Sequence, residues 1–216
     1  MKSVLVIGMG RFGRHLAYKM KELGNDVMVV DKDASVMEDI AYDFVDAFIG
    51  DCTKESVVAS LGVNNFDLCF VSIGEDFQSS LIVTSYLKRH GAQFVVTKAR
   101  TDIQAEILDK IGADEVVYPE RDIAEKVAVR HNSHNIFDYI QLTSEYAIYE
   151  VPVVKSWVGR TIIEIDVRRS YNVNVIAVKS GNVLTASHLG EYVFKDEDVL
   201  VVIGKSKDVF SLAAQS

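Results

Sequence analysis

The sequence predicts an α/β fold: a Rossmann-like parallel six-stranded sheet with helices on both faces, plus a small α+β C-terminal domain. Three observations carry this. Short apolar runs alternate with amphipathic segments through the first half of the chain. Those runs lack polar alternation, as strands covered on both faces do. A glycine-rich segment follows the first run and opens the first amphipathic one. Strand–helix alternation of this kind builds parallel sheets with right-handed crossovers.

Residues 4–7 form the first buried run. Phe12, Leu16, Met20 and Leu23 then recur every three or four positions, as on one face of a helix, and Gly24 stops it. The pattern repeats as strand 27–30, helix 34–42, strand 47–49, helix 54–61 and strand 68–71. Helix 77–89, strand 94–97, helix 102–111 and strand 116–117 complete it. Pro119 precedes a helix at 123–131, which comes after the sheet is complete and so can lead to another domain or subunit. Beyond Asn135 the texture changes to short alternating strands at 146–153, 173–179 and 199–203, with short helices at 162–167 and 207–212. The domains are expected at 1–134 and 135–216, although no Gly/Ser linker marks the boundary.

Composition narrows the function classes. The 216 residues are 49% hydrophobic, ample for a core, and carry a net charge of -8, which disfavours a nucleic-acid surface. Cys52 and Cys69 lack CxxC spacing and read as buried thiols in a reducing compartment. The N-terminal apolar run is too short for a signal peptide, and no stretch reaches the about 20 apolar residues of a membrane span. The expectation is a soluble, cytoplasmic protein with no direct membrane insertion.

The sharpest motif is Gly8-Met9-Gly10-Arg11-Phe12-Gly13, between a strand and a helix. Gly8 allows the turn, Gly10 lets backbone approach a phosphate, and Gly13 lets helix and strand pack closely. The helix N-terminus offers free N–H groups to that phosphate. Asp31 ends the second strand 18 residues after Gly13, where a carboxylate accepts from ribose hydroxyls and repels the 2′-phosphate of NADP. This identifies a nucleotide site, for NAD, ATP or ADP, and no reaction. Arg11 reads either as a phosphate contact or as a solvated helix-start arginine.

Loops at strand C-termini supply the rest. Asp51 and Thr53 are placed to meet a base edge, or Thr53 to cap the next helix. Ile73 and Gly74 follow the fourth strand and pack against the base. Lys98 follows the fifth and reaches the phosphates or solvent. The candidate nucleotide set is thus Gly8, Gly10, Arg11, Phe12, Gly13, Asp31, Lys32, Asp51, Cys52, Thr53, Ile73, Gly74 and Lys98. No GxSxG, HExxH or Walker A lysine is present, and His131 and His134 have no third metal ligand in view. A binding module is favoured over an enzyme.

Residues 6–13, Val30-Asp31, residues 50–53, residues 110–114 and residues 118–122 resemble the RCK (KTN) family, regulators of potassium channels and transporters, and within it the Ktr-type regulatory subunits. The C-terminal half resembles the accompanying TrkA-C domain at 158–162, 166–168, 174–179 and 198–204. Glu197, where the family has Gly, and the lack of a proline in the 180s depart from the pattern. The resemblance implies homo-oligomers, dimers assembling into an octameric ring, beneath a membrane potassium transporter. It implies ATP or ADP in the N-terminal site, Arg11 on the terminal phosphate across the dimer, Asp31 on the ribose, Lys98 near phosphates, and Glu120 on Mg2+ or another cation at the dimer contact. Glu120 by itself reads equally as a helix-start acid. The resemblance also implies cyclic di-AMP in the C-terminal domain at Ile162, Asp166, Arg168, Asn174 and Val175, where the plain reading is dimer packing. The competing functional reading is an NAD(H)-dependent oxidoreductase or NADH-responsive redox sensor.

Overall fold

A computed structural model describes residues 1–132 and 135–215. The chain divides into two compact units, Met1–Glu120 and Arg121–Ser216. The boundary expected at 134 lies outside the described residues, as does His134. The break in contacts falls instead after Glu120, because helix α6 (Pro119–Asn132) sends Val129 onto the core of the second unit. That helix begins earlier than its apolar pattern suggested, with Pro119 in the first turn, where its missing N–H costs nothing.

The first unit alternates β1 (Ser3–Ile7), α1 (Arg11–Glu22), β2 (Asp26–Asp31), α2 (Ala34–Glu38), β3 (Asp46–Ile49) and α3 (Glu55–Ser60). It continues through β4 (Leu68–Val71), α4 (Phe77–Arg89), β5 (Val95–Lys98), α5 (Asp102–Ile111) and β6 (Glu115–Val117). The six strands are parallel, in the order β3-β2-β1-β4-β5-β6. Alternate residues of β1 serve opposite faces. Leu5 and Ile7 join Val58 of α3 and Leu87 of α4, while Val4 and Val6 join Ala17 of α1 and Met37 of α2. Each of the larger aliphatic side chains and Met37 contributes about 1.5–3 kcal/mol of transfer free energy. Three helices are capped by side chains: Asp33, Asp76 and Thr101 accept the N–H of Ser35, Ser79 and Gln104 at the starts of α2, α4 and α5.

The second unit holds β7 (Asp138–Gln141), β8 (Tyr146–Pro152), α7 (Ile162–Ile165), α8 (Val167–Tyr171), β9 (Val173–Ser180), β10 (Val183–Thr185), β11 (Val199–Lys205) and α9 (Ser206–Ala213). Its antiparallel sheet runs β10-β9-β11-β8-β7 over a core of Trp157, Tyr149, Phe194 and Leu200. The single helix expected at 162–167 is two. Asp166 sits at φ 51, a left-handed conformation that ends α7 and redirects the chain into α8. The short strands β7 and β10 were not expected.

Candidate functional site: the cleft at the β1–β4 switch point

Strand order reverses between β1 and β4, since the chain builds outward from β1 in one direction and from β4 in the other. Loops leaving the two strands therefore diverge, and the crevice between them is where open α/β sheets bind ligands. The three loop glycines sit there in different surroundings. A Cβ on Gly13 would fall 1.9 Å from the Gly8 carbonyl oxygen and 2.5 Å from Ser72 Oγ, so Gly13 is needed by the protein's own packing. Gly8 has φ +95, and its Cβ would meet Ile73 N at 3.2 Å. A Cβ on Gly10 would meet nothing within 4 Å. The space beside Gly10 is therefore open to a molecule from outside. Helix α1 starts at that point with no side-chain cap and no acid in its first turn, so its positive end faces the opening uncompensated.

Asp31 fixes the loop from the β2 side. Its Oδ2 accepts the Met9 N–H at 2.6 Å, and its Oδ1 accepts the Asp33 N–H at 2.9 Å. Each oxygen keeps a second lone pair for a ribose hydroxyl. Ser72 closes the other side: its hydroxyl lies 2.6 Å from the Gly8 carbonyl and 2.9 Å from that of Ile7.

The resulting cleft has a volume of about 310 Å³ and is lined by Gly8, Gly10, Asp31, Lys32, Asp51, Cys52, Thr53, Ile73 and Gly74, all expected, together with Ile7, Gly50, Ser72, Glu75, Asp76 and Ser79. Glu75, Asp76 and Ser79 were missed. The signal was present, since Asp76 immediately precedes an apolar helix and Ser79 stands three residues on, the spacing of an N-cap and its partner. Thr53 does not cap α3, whose N-cap is Lys54. Its N–H and hydroxyl both donate to Asp51 Oδ1, at 3.1 and 2.7 Å. That hydroxyl bond is the main reason the Asp51 carboxyl is held below its ordinary range. Cys52 is buried, and burial, with Asp51 and Asp31 nearby, pushes its thiol up to about 12.

Four expected residues do not line the cleft. Gly13 lies behind it, packed as described. Arg11 is exposed at the start of α1 and makes no ion pair among the described residues. Phe12 follows it, and the Lys98 ammonium lies 5.5 Å from its ring centroid. Lys98 Nζ donates to Glu120 Oε1 at 2.6 Å. Among the described residues, no three His, Cys, Asp or Glu gather as a metal site.

In the second unit, Arg168 and Asn174 share a polar depression of about 380 Å³ with Tyr146, Asn172, Lys205, Lys207 and Asp208. Ile162, Asp166 and Val175 do not line it. Ile162 and Val175 instead pack on the unit's core, and the Asp166 carboxylate lies 3.9 Å from Arg169. Of the five C-terminal candidates, only Arg168 and Asn174 are thus brought together.

Comparison with known proteins agrees with this architecture. The TrkA-N domain family matches residues 4–119 and the TrkA-C domain family residues 147–215. The chain is 38% identical over 208 residues to "Ktr system potassium uptake protein C" of Bacillus subtilis, covering 96% of this chain and 94% of that one. It is 32% identical over 208 residues to "Ktr system potassium uptake protein A" of the same organism, with the same shares covered. Among solved structures, the GsuK channel bound to NAD superposes with a TM-score of 0.70 at 19% identity, over 99% of this chain and 39% of that chain. GsuK bound to ADP does so with a TM-score of 0.54 at 16% identity, over 60% of this chain and 34% of that chain. The chain thus spans less than half of these solved chains, and that likeness shows the fold. With a Rossmann-like sheet and its glycine-loop cleft in the first unit, an antiparallel domain in the second, and both family domains matched in order, the chain belongs to the TrkA-N/TrkA-C family.

Proposed function

We propose that the protein is the regulatory subunit of a Ktr-type potassium-uptake system, binding ATP or ADP in the β1–β4 cleft and setting transporter activity by which of the two is bound. The observation that carries the ligand reading is Gly10: the loop glycine beside open space, at the uncapped positive end of α1, with the Asp31 carboxylate opposite. Phosphates fit at the first and a ribose at the second. The transport reading rests on the near whole-length likeness to two Ktr potassium-uptake proteins. In this reading the chain acts on potassium movement through a membrane partner, as a regulatory subunit of such a system does; among the described residues, no helix is long and apolar enough to cross a membrane. Arg11, exposed and without an ion pair among the described residues, is available to a terminal phosphate on its own or a neighbouring copy. That phosphate distinguishes ATP from ADP, and such a differential contact is what a two-state switch requires.

Two parts of this reading need groups beyond one chain. Glu120 is one carboxylate already held by Lys98, so a cation there draws its other ligands from bound phosphates or a second copy. A cyclic dinucleotide at Arg168 and Asn174 meets a polar, cationic surface. A ring of dimers remains the expected assembly. An NAD(H)-responsive regulator is the second reading, favoured by Asp31 and by the NAD-bound state of the structurally similar GsuK channel. The test is potassium flux into vesicles containing the transporter partner with this protein added. The expected result is a flux that differs between ATP and ADP and is lost with Arg11→Ala. Equal flux with both nucleotides, and a response to NADH instead, would reverse the assignment.

A further inference from the structure

Lys98 ends β5 and is tied to a residue 22 positions later. The parallel register explains how. Lys98 pairs with Val117 of β6, and Glu120 follows three residues on, in the first turn of α6. The ion pair is lopsided: the Lys98 side chain is 11% exposed and that of Glu120 58%. The cation is therefore the desolvated partner, and an ammonium so placed is costly to leave alone. Its location is specific. A Cβ on Gly74, a wall of the cleft, would lie 3.5 Å from Lys98 Nζ. Phe12, in the first turn of α1, presents its ring to the same ammonium, and Arg100 donates to the Gly74 carbonyl at 3.4 Å. The ammonium thus sits next to the cleft wall and the first turn of α1, the end where the nucleotide reading places the phosphates. Glu75 and Asp76 line that cleft too, but the carboxylate paired with Lys98 among the described residues is that of Glu120. The lysine's hydrogen bond also holds the Glu120 carboxyl below its ordinary range.

We propose that Glu120 is a built-in competitor for the nucleotide's phosphates: it occupies Lys98 until a bound phosphate takes the lysine from it, and the exchange releases the first turn of α6. This rests on the nucleotide reading of the cleft. The exchange satisfies the largely shielded cation at every stage, since the lysine passes from a carboxylate to a phosphate without becoming unpaired. A ligand that stops short of Lys98 binds with the pair intact and leaves Glu120 where it is. A ligand that reaches it works against the pair, so its affinity is lowered by the strength of that pair. Releasing Glu120 frees the start of the helix through which the chain passes from the first unit into the second. The site then reports where the ligand's charge lies as well as whether a ligand is bound.

The experiment is calorimetric titration of ATP, ADP and NADH into the full chain and its Glu120→Gln, Lys98→Gln and double variants, with a chelator present. Urea denaturation confirms that each variant is folded. Glu120→Gln should bind ATP roughly tenfold more tightly than wild type, the worth of a charge-assisted pair. On the Lys98→Gln background, the same change should alter affinity by less than about twofold. An equal gain on both backgrounds would reduce Glu120 to general repulsion and overturn the competition, as would an unchanged or weaker affinity in Glu120→Gln alone. Amide exchange in α6 gives a second readout that does not need Lys98→Gln to fold. ATP should speed exchange at residues 121–124 in wild type, and Glu120→Gln should show that faster exchange without ligand. Slow exchange in ligand-free Glu120→Gln would contradict release. Wild-type protein that binds none of the three nucleotides would instead remove the reading on which the proposal rests.

Discussion

Gly10→Ala and Gly13→Ala make the same chemical change in one loop and should fail in opposite ways. At Gly13 the added methyl would sit 1.9 Å from a backbone carbonyl oxygen and 2.5 Å from Ser72 Oγ, which is itself held to that carbonyl. Neither atom is the free end of a flexible side chain, so loop and helix must separate. Overpacking against backbone puts the cost at about 3 kcal/mol. At Gly10, φ is -66 and ψ -176, a conformation any residue adopts, and a Cβ there meets no protein atom within 4 Å. The cost is limited to a poorer N-cap, about 1 kcal/mol or less. A bound pyrophosphate would meet the methyl, however, and nucleotide affinity should fall at least about tenfold, the effect of roughly 1.4 kcal/mol. Urea denaturation and calorimetry on the two variants separate these outcomes. If Gly10→Ala binds nucleotide as wild type does, the space beside it is not the ligand's, and the reasoning fails. If Gly13→Ala is as stable as wild type, the close approach of α1 to the loop is wrong.

Asp31→Asn should lower both stability and affinity, because the amide keeps one acceptor where the carboxylate uses two for Met9 and Asp33. A loss of about 1–2 kcal/mol is expected by denaturation, and no loss would mean that the loop does not depend on this clamp. Thr53→Val removes the hydroxyl that holds the Asp51 carboxyl below its ordinary range. A depressed carboxylate adds stability above its unfolded value, about 3.9, and loses it as pH falls through the lower folded value. The variant should therefore titrate Asp51 higher and begin acid unfolding at higher pH, as carboxyl NMR can follow; an unmoved titration would refute the cause. In the second unit, Asp198 is buried, accepting from Tyr192 at 3.2 Å and from the Lys195 N–H at 2.8 Å. Asp198→Ala leaves both donors unpaired and should cost about 2 kcal/mol, while leaving nucleotide binding in the first unit intact. A loss of nucleotide binding with stability unchanged would contradict a purely structural role.

The parts of the site legible in the sequence are those fixed by local chemistry. Gly8, Gly10 and Gly13 between an apolar run and an amphipathic one, and Asp31 at the end of the next run, define a strand–loop–helix–strand unit whose geometry follows from glycine's small size and parallel pairing. Asp51, Thr53 and Gly74 followed from the rule that ligands collect at strand C-termini. What was not legible depends on register. Lys98 and Glu120 read as separate candidates, and only the pairing of β5 with β6 sets one beside the other. Thr53 read as base contact or helix cap, yet its hydroxyl goes to Asp51, because α3 begins a residue later than the pattern implies. In the C-terminal half, α7 and α8 share one apolar pattern, and the left-handed Asp166 that separates them carries no glycine to announce it. The family resemblance implies Ile162 and Val175 as ligand contacts, but an apolar side chain next to a polar surface is as well used by the core, which is where both pack.

In the proposed function, the β1–β4 cleft holds an adenine nucleotide with its phosphates at Gly10. Calorimetric titration of ATP, ADP and NADH into wild-type protein and Gly10→Ala, with Mg2+ present, tests it most directly. The expected result is saturable binding of ATP and ADP to wild type, weaker binding of NADH, and a loss of affinity for all three in a Gly10→Ala variant that remains folded. Tight NADH binding with negligible ATP binding, or nucleotide binding that Gly10→Ala leaves untouched, would contradict it.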